Sequence, residues 1–289
     1  MRHAWPVSRG QHQPRRVERR NAVFQQWEAL LTNRRKRTQS GELLVQGVRP
    51  ISQAVTAGFP VRALLSDGRA RPSEWARDLM RRHPGAVVKV APTLLAELGE
   101  RGDGAPELLA VVGLPADDVD RLPSEPSGPI VVFDRPANPG NIGSLARSVD
   151  ALGGAALVVT GHAADPWDPA SVRASTGSIF AVPVLRLPSH QPLLAWVERR
   201  RAAGLPFTVI GTDEHGDVEL AEVPVDGPTV VVIGSEATGM SSGWREACDL
   251  LTSIPMTGTA SSLNAASAGS IVLYELQRRR GSGRPAAGA

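Results

Sequence analysis

The stretch "IVVFDRPANPGNIGSLARSVDALGG", residues 130–154, passes from an unbroken apolar run through a turn into a helix. Five apolar-rich residues without alternation read as a strand buried on both faces, the mark of a parallel sheet covered on both sides. The segment Asn138-Pro139-Gly140-Asn141-Ile142-Gly143 supplies a tight turn, and Gly143 lets a helix start close to the strand. The spacing predicts that helix over 142–152, with Arg147 one turn inside it. An Arg near a helix N-terminus opposes the macrodipole, so the placement costs stability and points to a partner such as phosphate, carboxylate or ribose. An ordinary helix cap followed by a surface Arg accounts for the same letters.

Strand-like runs recur outward from this point, at "AALVVT" (155–160), "FTVIGT" (207–212), "TVVVIGSE" (229–236) and "LLTSIPM" (250–256). Helical stretches at 142–152, 169–178, 190–203 and 263–279 alternate with them. That alternation predicts an α/β fold with a parallel sheet, which binds ligands at the carboxyl ends of its strands. Upstream, a shorter alternating pattern runs from Asn21 to about Val112 and predicts a small α/β domain. The expected organisation is therefore a basic flexible arm over 1–20, a small domain over 21–114, a Pro/Asp/Ser-rich linker over 115–129, and the main domain over 130–289.

Charge is uneven along the chain. Residues 1–40 hold ten Arg or Lys against Glu18 and Glu28, a net +8, while the whole chain of 289 residues carries +3. A basic block on a mildly acidic body suggests a polyanionic partner, most often nucleic acid; a solubilising tail is the plainer reading. Arg34, Arg35 and Arg37 belong to that block and are candidate RNA contacts. Cys248 is the single cysteine, which rules out an intrachain disulfide and fits a reducing cytoplasm. No apolar run approaches the ~18 residues that cross a bilayer, so no membrane partner is expected.

Two more loops stand at predicted strand ends. In "IGSEATGMS" (233–241), Gly234 permits close backbone approach to a ligand. Glu236 sits where a carboxylate could pair with an Arg or accept from a hydroxyl. In "SIPMTGTASSLNAASAGS" (253–270), Ser262 is a credible N-cap, and Ala265, Ala266, Ala268 and Gly269 make one unusually small helix face. Asn264 in the first turn suits a ligand or a loop carbonyl. No G-x-G-x-x-G follows a strand, no phosphate-binding G-x-x-x-x-G-K-[ST] occurs, and no G-x-S-x-G elbow is present. The histidines are scattered, so no metal site is expected.

Taken together and in order, "NPGNIGSLAR", "IGSEATGM" and "IPMTGTASSLNAASA" resemble the three motifs of the SpoU/TrmH branch of the SPOUT RNA methyltransferases. "ELLVQGVRPISQAVTAG" (42–58) resembles that family's N-terminal RNA-binding domain of ribosomal-protein-L30-like fold, with Gln46 where members often have Glu. The resemblance implies a trefoil knot, S-adenosylmethionine as cofactor, and 2′-O-ribose methylation of RNA. It implies catalytic or orienting roles for Arg147, Asn141, Glu236, Ser262 and Asn264. It implies cofactor contacts at Thr212, Gly234, Ile254 and Leu263, an RNA contact at Arg173, and a homodimer through the knot helices. A likeness along the whole length to a resistance-conferring member implies a uridine of 23S rRNA as target, with antibiotic resistance as the outcome. The alternative is a tRNA substrate. A non-catalytic RNA-binding protein is a remoter alternative, which all five motif residues being present argues against.

Overall fold

The computed structural model describes residues 16–99, 106–259 and 262–282. They divide into two compact units: the residues up to Pro115 joined by Trp167–Ala181, and Ala116–Pro166 joined by Val182 onward.

In the first unit, capping residues set the helices. Asn21 accepts from the Phe24 N–H and starts α1 (Ala22–Thr32). Asn33 does the same through Lys36 N–H for α2 (Arg34–Ser40), and Gly41, at φ +63°, ends it. The α2 sequence RRKRTQS has no apolar stripe, so only its caps reveal it. Then come β2 (Glu42–Gln46), α3 (Val48–Thr56), β3 (Val61–Ser66), α4 (Glu74–Arg82), β4 (Ala86–Val90), α5 (Pro92–Leu98) and β5 (Leu108–Gly113). With β1 (Arg16–Val17), these strands form a mixed sheet of order β1-β4-β3-β5-β2. Phe24, Trp27 and Leu30 of α1 pack with Leu95, Leu65 and Val111 on one of its faces. Val17 is fully buried in the same core, paired in parallel with Val90. The arm expected over 1–20 therefore stops short of Arg16; residues 1–15 lie outside the described residues.

The second unit carries β6 (Ile130–Asp134), α6 (Pro139–Ala151), β7 (Ala156–Thr160), β8 (Val184–Leu187), α9 (Gln191–Ala202), β9 (Thr208–Thr212), β10 (Val218–Glu219), β11 (Thr229–Ile233), α10 (Ser242–Ala247), β12 (Leu250–Ser253) and α11 (Ala265–Ser282). All strand pairs of its sheet are parallel, in the order β10-β12-β9-β11-β6-β7-β8. The chain builds β6, β7 and β8 outward, then crosses β6 to begin again at β9. That reversal is a topological switch point, where such sheets open a crevice beyond their carboxyl ends. On one face, Trp196 of α9 and Trp244 of α10 pack over Ile130, Val132 and Val230. On the other side of the sheet, α6 packs against α11, where the Ser148 and Ser270 hydroxyls meet at 2.7 Å. A Cβ on Gly269 would stand 2.6 Å from Leu145 Cδ1. The small face of 265–269 is thus used within the chain: Ala265 and Ala266 are buried too.

Two boundaries differ from those expected. The Pro/Asp/Ser-rich segment 115–129 is not a loose linker, since Leu122 is buried in the second unit's core. Asp117 accepts from the Arg186 N–H of β8 at 2.9 Å, and Arg121 donates to the Val184 carbonyl at 3.1 Å. The helix expected at 169–178 breaks into α7 (Pro169–Ser175) and α8 (Ser178–Ala181) at Thr176 and Gly177, both with positive φ. This segment packs with the first unit. Phe59 meets Trp167 and Phe180 edge-on, with ring centroids 6.0 and 5.2 Å apart.

Candidate cofactor and catalytic site

Three turns converge at the switch point. They follow β9, β11 and β12, and enclose a cavity of about 600 Å³ lined by Thr212, Gly234, Ile254, Ser262 and Leu263 together with parts of 213–215 and 235–239. All four residues assigned to the cofactor line it. Met256 lines it too, and Met256 and Leu263 are among the few large apolar side chains left exposed.

The turn after β11 is closed by its own backbone. Ser235 and Gly239 exchange N–H···O bonds of 3.0 and 2.9 Å, and the Ser235 and Thr238 hydroxyls meet at 2.9 Å. A Cβ at Gly234 would fall 2.4 Å from the Gly239 carbonyl carbon and the Met240 nitrogen. The glycine is thus required by the turn folding back on itself, and not only by a ligand's approach. The tip of this turn presents Glu236.

One oxygen of Glu236, Oε1, gathers the other two motifs. It accepts from Asn141 Nδ2 at 2.6 Å and from Asn264 Nδ2 in a short contact, with the Ala265 N–H at 3.4 Å. Asn264 Oδ1 in turn accepts from the N–H groups of Ala266 and Ser267, at 3.1 and 3.3 Å. Asn264 therefore starts α11, and Ser262, expected as the cap, lies beyond the helix on the cavity wall. Glu236 pairs with amides rather than with an Arg.

Arg147 needs a different account from the one its sequence position suggested. The helix α6 begins at Pro139, capped by Asn138, so Arg147 is its ninth residue and lies in its third turn. The dipole is felt within the first turn, and it exerts no strain there. Arg147 is exposed, and no hydrogen bond or ion pair among the described residues holds it.

A buried network that the sequence did not announce joins the ends of β6 and β7 to the start of α10. Asp134, at the end of β6, accepts from Thr160 Oγ1 at 3.0 Å, the Ser241 N–H at 2.8 Å and Arg135 Nε at 3.2 Å. Trp244 Nε1 donates to Thr160 Oγ1 at 3.0 Å. Arg135 sits at φ +53° and reaches the Gly239 carbonyl at 3.2 Å, so it ties the turn after β6 to the turn after β11. An Asp closing a buried strand was the available signal. Nearby, burial and the charge of Asp249 push the Cys248 thiol up to about 12.

The RNA candidates fall in the first unit and behave unequally. Arg35 is exposed, Arg34 is half-buried, and Arg173 is exposed on α7. Arg37 is 2% exposed. Its Nη1 donates to the Leu30 carbonyl at 2.7 Å, and its Nη2 to Asp168 Oδ2 at 3.2 Å. A guanidinium so enclosed pins α1, α2 and α7 and does not reach RNA, so its assignment as an RNA contact is corrected.

The cavity fits a nucleoside-sized cofactor. Its volume lies within the roughly 300–1,000 Å³ of small-molecule sites, it opens where parallel sheets bind nucleotides, and its exposed Met256 and Leu263 offer apolar surface to a base. No group of three or more His, Cys, Asp or Glu among the described residues is placed to hold a metal.

Residues 21–110 match the SpoU L30e-like domain and residues 128–274 the SpoU rRNA methylase family. The chain is 55% identical over 281 residues to the 23S rRNA (uridine(2479)-2′-O)-methyltransferase of Streptomyces viridochromogenes, covering 96% of this chain and 98% of that one. The crystal structure of the SpoU methyltransferase AviRb from that organism, in complex with the cofactor AdoMet, superposes with a TM-score of 0.88, covering 92% of this chain and all of that one. The 23S rRNA (guanosine-2′-O-)-methyltransferase RlmB of Pseudomonas aeruginosa is 30% identical over 262 residues, 88% of this chain and 93% of that one. With both domains matched along nearly the whole length, and the SPOUT architecture with the knot it implies, the chain belongs to the SpoU family of RNA methyltransferases.

Proposed function

We propose that this chain methylates the 2′-oxygen of a uridine ribose in 23S rRNA, using S-adenosylmethionine. The observation that carries the reading is the meeting of Asn141, Glu236 and Asn264, from three separate motifs, at a cavity of nucleoside size. The likeness to the 23S rRNA uridine methyltransferase supports the substrate.

S-adenosylmethionine, when bound, supplies a methyl group already activated by the positive charge on its sulfur. Backbone around Thr212, Gly234, Ile254 and Leu263 would hold it. The protein's contribution is alignment, worth up to ~7–11 kcal/mol in favourable cases, and help as the ribose hydroxyl loses its proton. Glu236 holds the second turn against α6 and the start of α11, so the cavity wall keeps its shape. Asn141 and Asn264 orient that carboxylate, and Ser262 lies where it can meet cofactor or ribose.

Arg147 faces the alkoxide problem. A guanidinium in water stays charged, and Arg147 is exposed. We therefore assign it an electrostatic role: it binds a substrate phosphate and donates to the developing 2′-oxyanion while the proton leaves to solvent.

The whole-length resemblance to a resistance-conferring member extends the proposal to antibiotic resistance, and a ribosomal substrate supports a cytoplasmic setting. No helix among the described residues is long and apolar enough to cross a membrane. We further infer a homodimer through the second unit. Its support is α11, whose Ile271 and Tyr274 remain 39% and 58% exposed once the small-residue face has packed on α6.

The test is transfer of tritiated methyl from S-adenosylmethionine to isolated 23S rRNA and to total tRNA, with the site mapped by reverse-transcriptase stops at low dNTP. Label in 23S rRNA at one uridine is expected. Label confined to tRNA would overturn the substrate, and none in either would overturn the activity.

A further inference from the structure

The first unit contains a cavity of its own, of about 550 Å³. Its lining includes Trp75, Val172, Gln46, Arg49 and Arg173, and all of it belongs to that unit. Arg49 and Arg173 are exposed. Trp75 is half-buried and donates its indole N–H to Ser52 Oγ at 2.9 Å, which holds the ring still. Val48, also on the lining, is 57% exposed, an apolar side chain left in water beside the opening turn of α3. One carboxylate lines the cavity, Glu107, and its Oε1 already accepts from the Ser73 N–H at 2.5 Å.

Thr176 is the unusual residue of this cavity. It ends α7 at φ +51°, in the left-handed region. A β-branched residue there is an outlier, and glycine is the ordinary choice at a helix end of this kind. Its Oγ1 is buried and has no hydrogen-bond partner. The next residue, Gly177, is in place because a Cβ would come within 3.2 Å of Pro50 Cα. The chain thus has a glycine one position on, where packing demands it, and keeps a strained threonine where a glycine would relieve strain. Thr176 thus turns the chain out of α7 at the cavity wall.

An apolar and aromatic wall, a side-chain amide and two guanidinium groups are the parts that hold an extruded nucleotide. The base stacks on apolar and aromatic surface, the amide reads its edge, and Arg binds the flanking phosphates. We infer that this cavity takes one unstacked nucleotide of the rRNA, distinct from the nucleotide whose ribose is methylated. The inference rests on the reading of the chain as an rRNA methyltransferase, and adds to it a site that selects the substrate.

The test uses the full chain and a 23S rRNA fragment that the wild-type protein methylates. Equilibrium binding is measured for wild type, Val48→Glu and Arg49→Ala, with S-adenosylmethionine affinity as the check that each variant is folded. A series of single abasic substitutions in the fragment supplies the second axis. Both variants are expected to weaken RNA binding at least tenfold with cofactor affinity unchanged. One abasic position should weaken wild-type binding about tenfold and weaken Val48→Glu no further. Unimpaired RNA binding by both surface variants, or abasic penalties that simply add to theirs at every position, would overturn the inference alone. A wild-type protein that methylates no 23S rRNA overturns the underlying reading and this inference with it.

Discussion

Asn141 donates its side-chain amide to Glu236 at 2.6 Å, across 95 positions of sequence. The bond joins the turn after β6 to the turn after β11, and the same carboxylate oxygen takes the amide of Asn264. A single acceptor thus holds three motifs in register. Truncating Glu236 to Ala removes that acceptor and lets the cavity wall loosen, so cofactor affinity should fall about tenfold, the equivalent of ~1.4 kcal/mol. Glu236→Gln keeps an oxygen in place and should lose about threefold. Calorimetric titration with S-adenosylmethionine checks both. Were the carboxylate instead the base for the ribose hydroxyl, Gln would be as inactive as Ala while binding cofactor normally.

Arg147 should separate chemistry from cofactor binding. It touches none of the residues that line the cofactor cavity by hydrogen bond or ion pair, and it is exposed for substrate to reach. Arg147→Ala should lower kcat by roughly 10²–10³, the loss typical of one donor to a developing oxyanion. Its Kd for S-adenosylmethionine should stay within about twofold, since binding and transition-state terms are separable in this way. Near-normal kcat in that variant removes Arg147 from the mechanism.

Arg37 makes the opposite prediction. Its charge is enclosed, paired with Asp168 and spent on the carbonyls that end α1. Arg37→Ala should destabilise the protein by about 2–4 kcal/mol, because buried acceptors and one carboxylate lose their donor. Arg35→Ala, on an exposed position of the same helix, should leave Tm unchanged and weaken RNA binding modestly. Denaturant melts alongside salt-dependent RNA binding distinguish the two.

How much of this was legible in the sequence depends on how local each cause is. β6, β7, β9 and β11 announce themselves, because strands buried on both faces need no partner information to be read. The strand β8 does not. It is four residues between Pro183 and Pro188, with Arg186 facing partly outward. The burial of Arg37 depends on Asp168, 131 positions away, and no local pattern encodes that. Gly234 was legible as a close approach, but its neighbour is the returning backbone of its own turn. Asn264 was legible as unusual for a first turn. That it is the cap follows only from where α11 begins, and the small residues around it leave periodicity silent on that point.

Cys248 supplies a pH dependence with a definite sign. Burial first, and the Asp249 charge next, raise its thiol from 9.0 to about 12. The folded protein therefore keeps the proton that the unfolded chain releases near pH 9. This contribution to stability is complete below pH 9 and is lost as pH rises from 9 toward 12. Between pH 7 and pH 10.5, Tm should fall more steeply for wild type than for Cys248→Ala. The thiol should also resist iodoacetamide at pH 8 until denaturant is added, since the thiolate is the reactive form.

The basic N-terminal segment sets the salt dependence of RNA binding. Arg16 and Val17 belong to the sheet through their pairing with Lys89 and Val90, so a truncation should stop at residue 15. It then removes Arg2, Arg9 and Arg15 and leaves the core strand intact. Each phosphate neutralised adds roughly −0.7 to −0.9 to the slope of log K against log salt. Loss of these three cations should flatten that slope by about 2 to 3, with Tm and cofactor affinity unchanged. A truncated protein whose slope matches the full chain would make the segment a solubilising tail. The electrostatic grip on rRNA would then come from exposed cations such as Arg35, Arg49 and Arg173, together with Arg147, and single substitutions of these would each flatten the slope by about one unit.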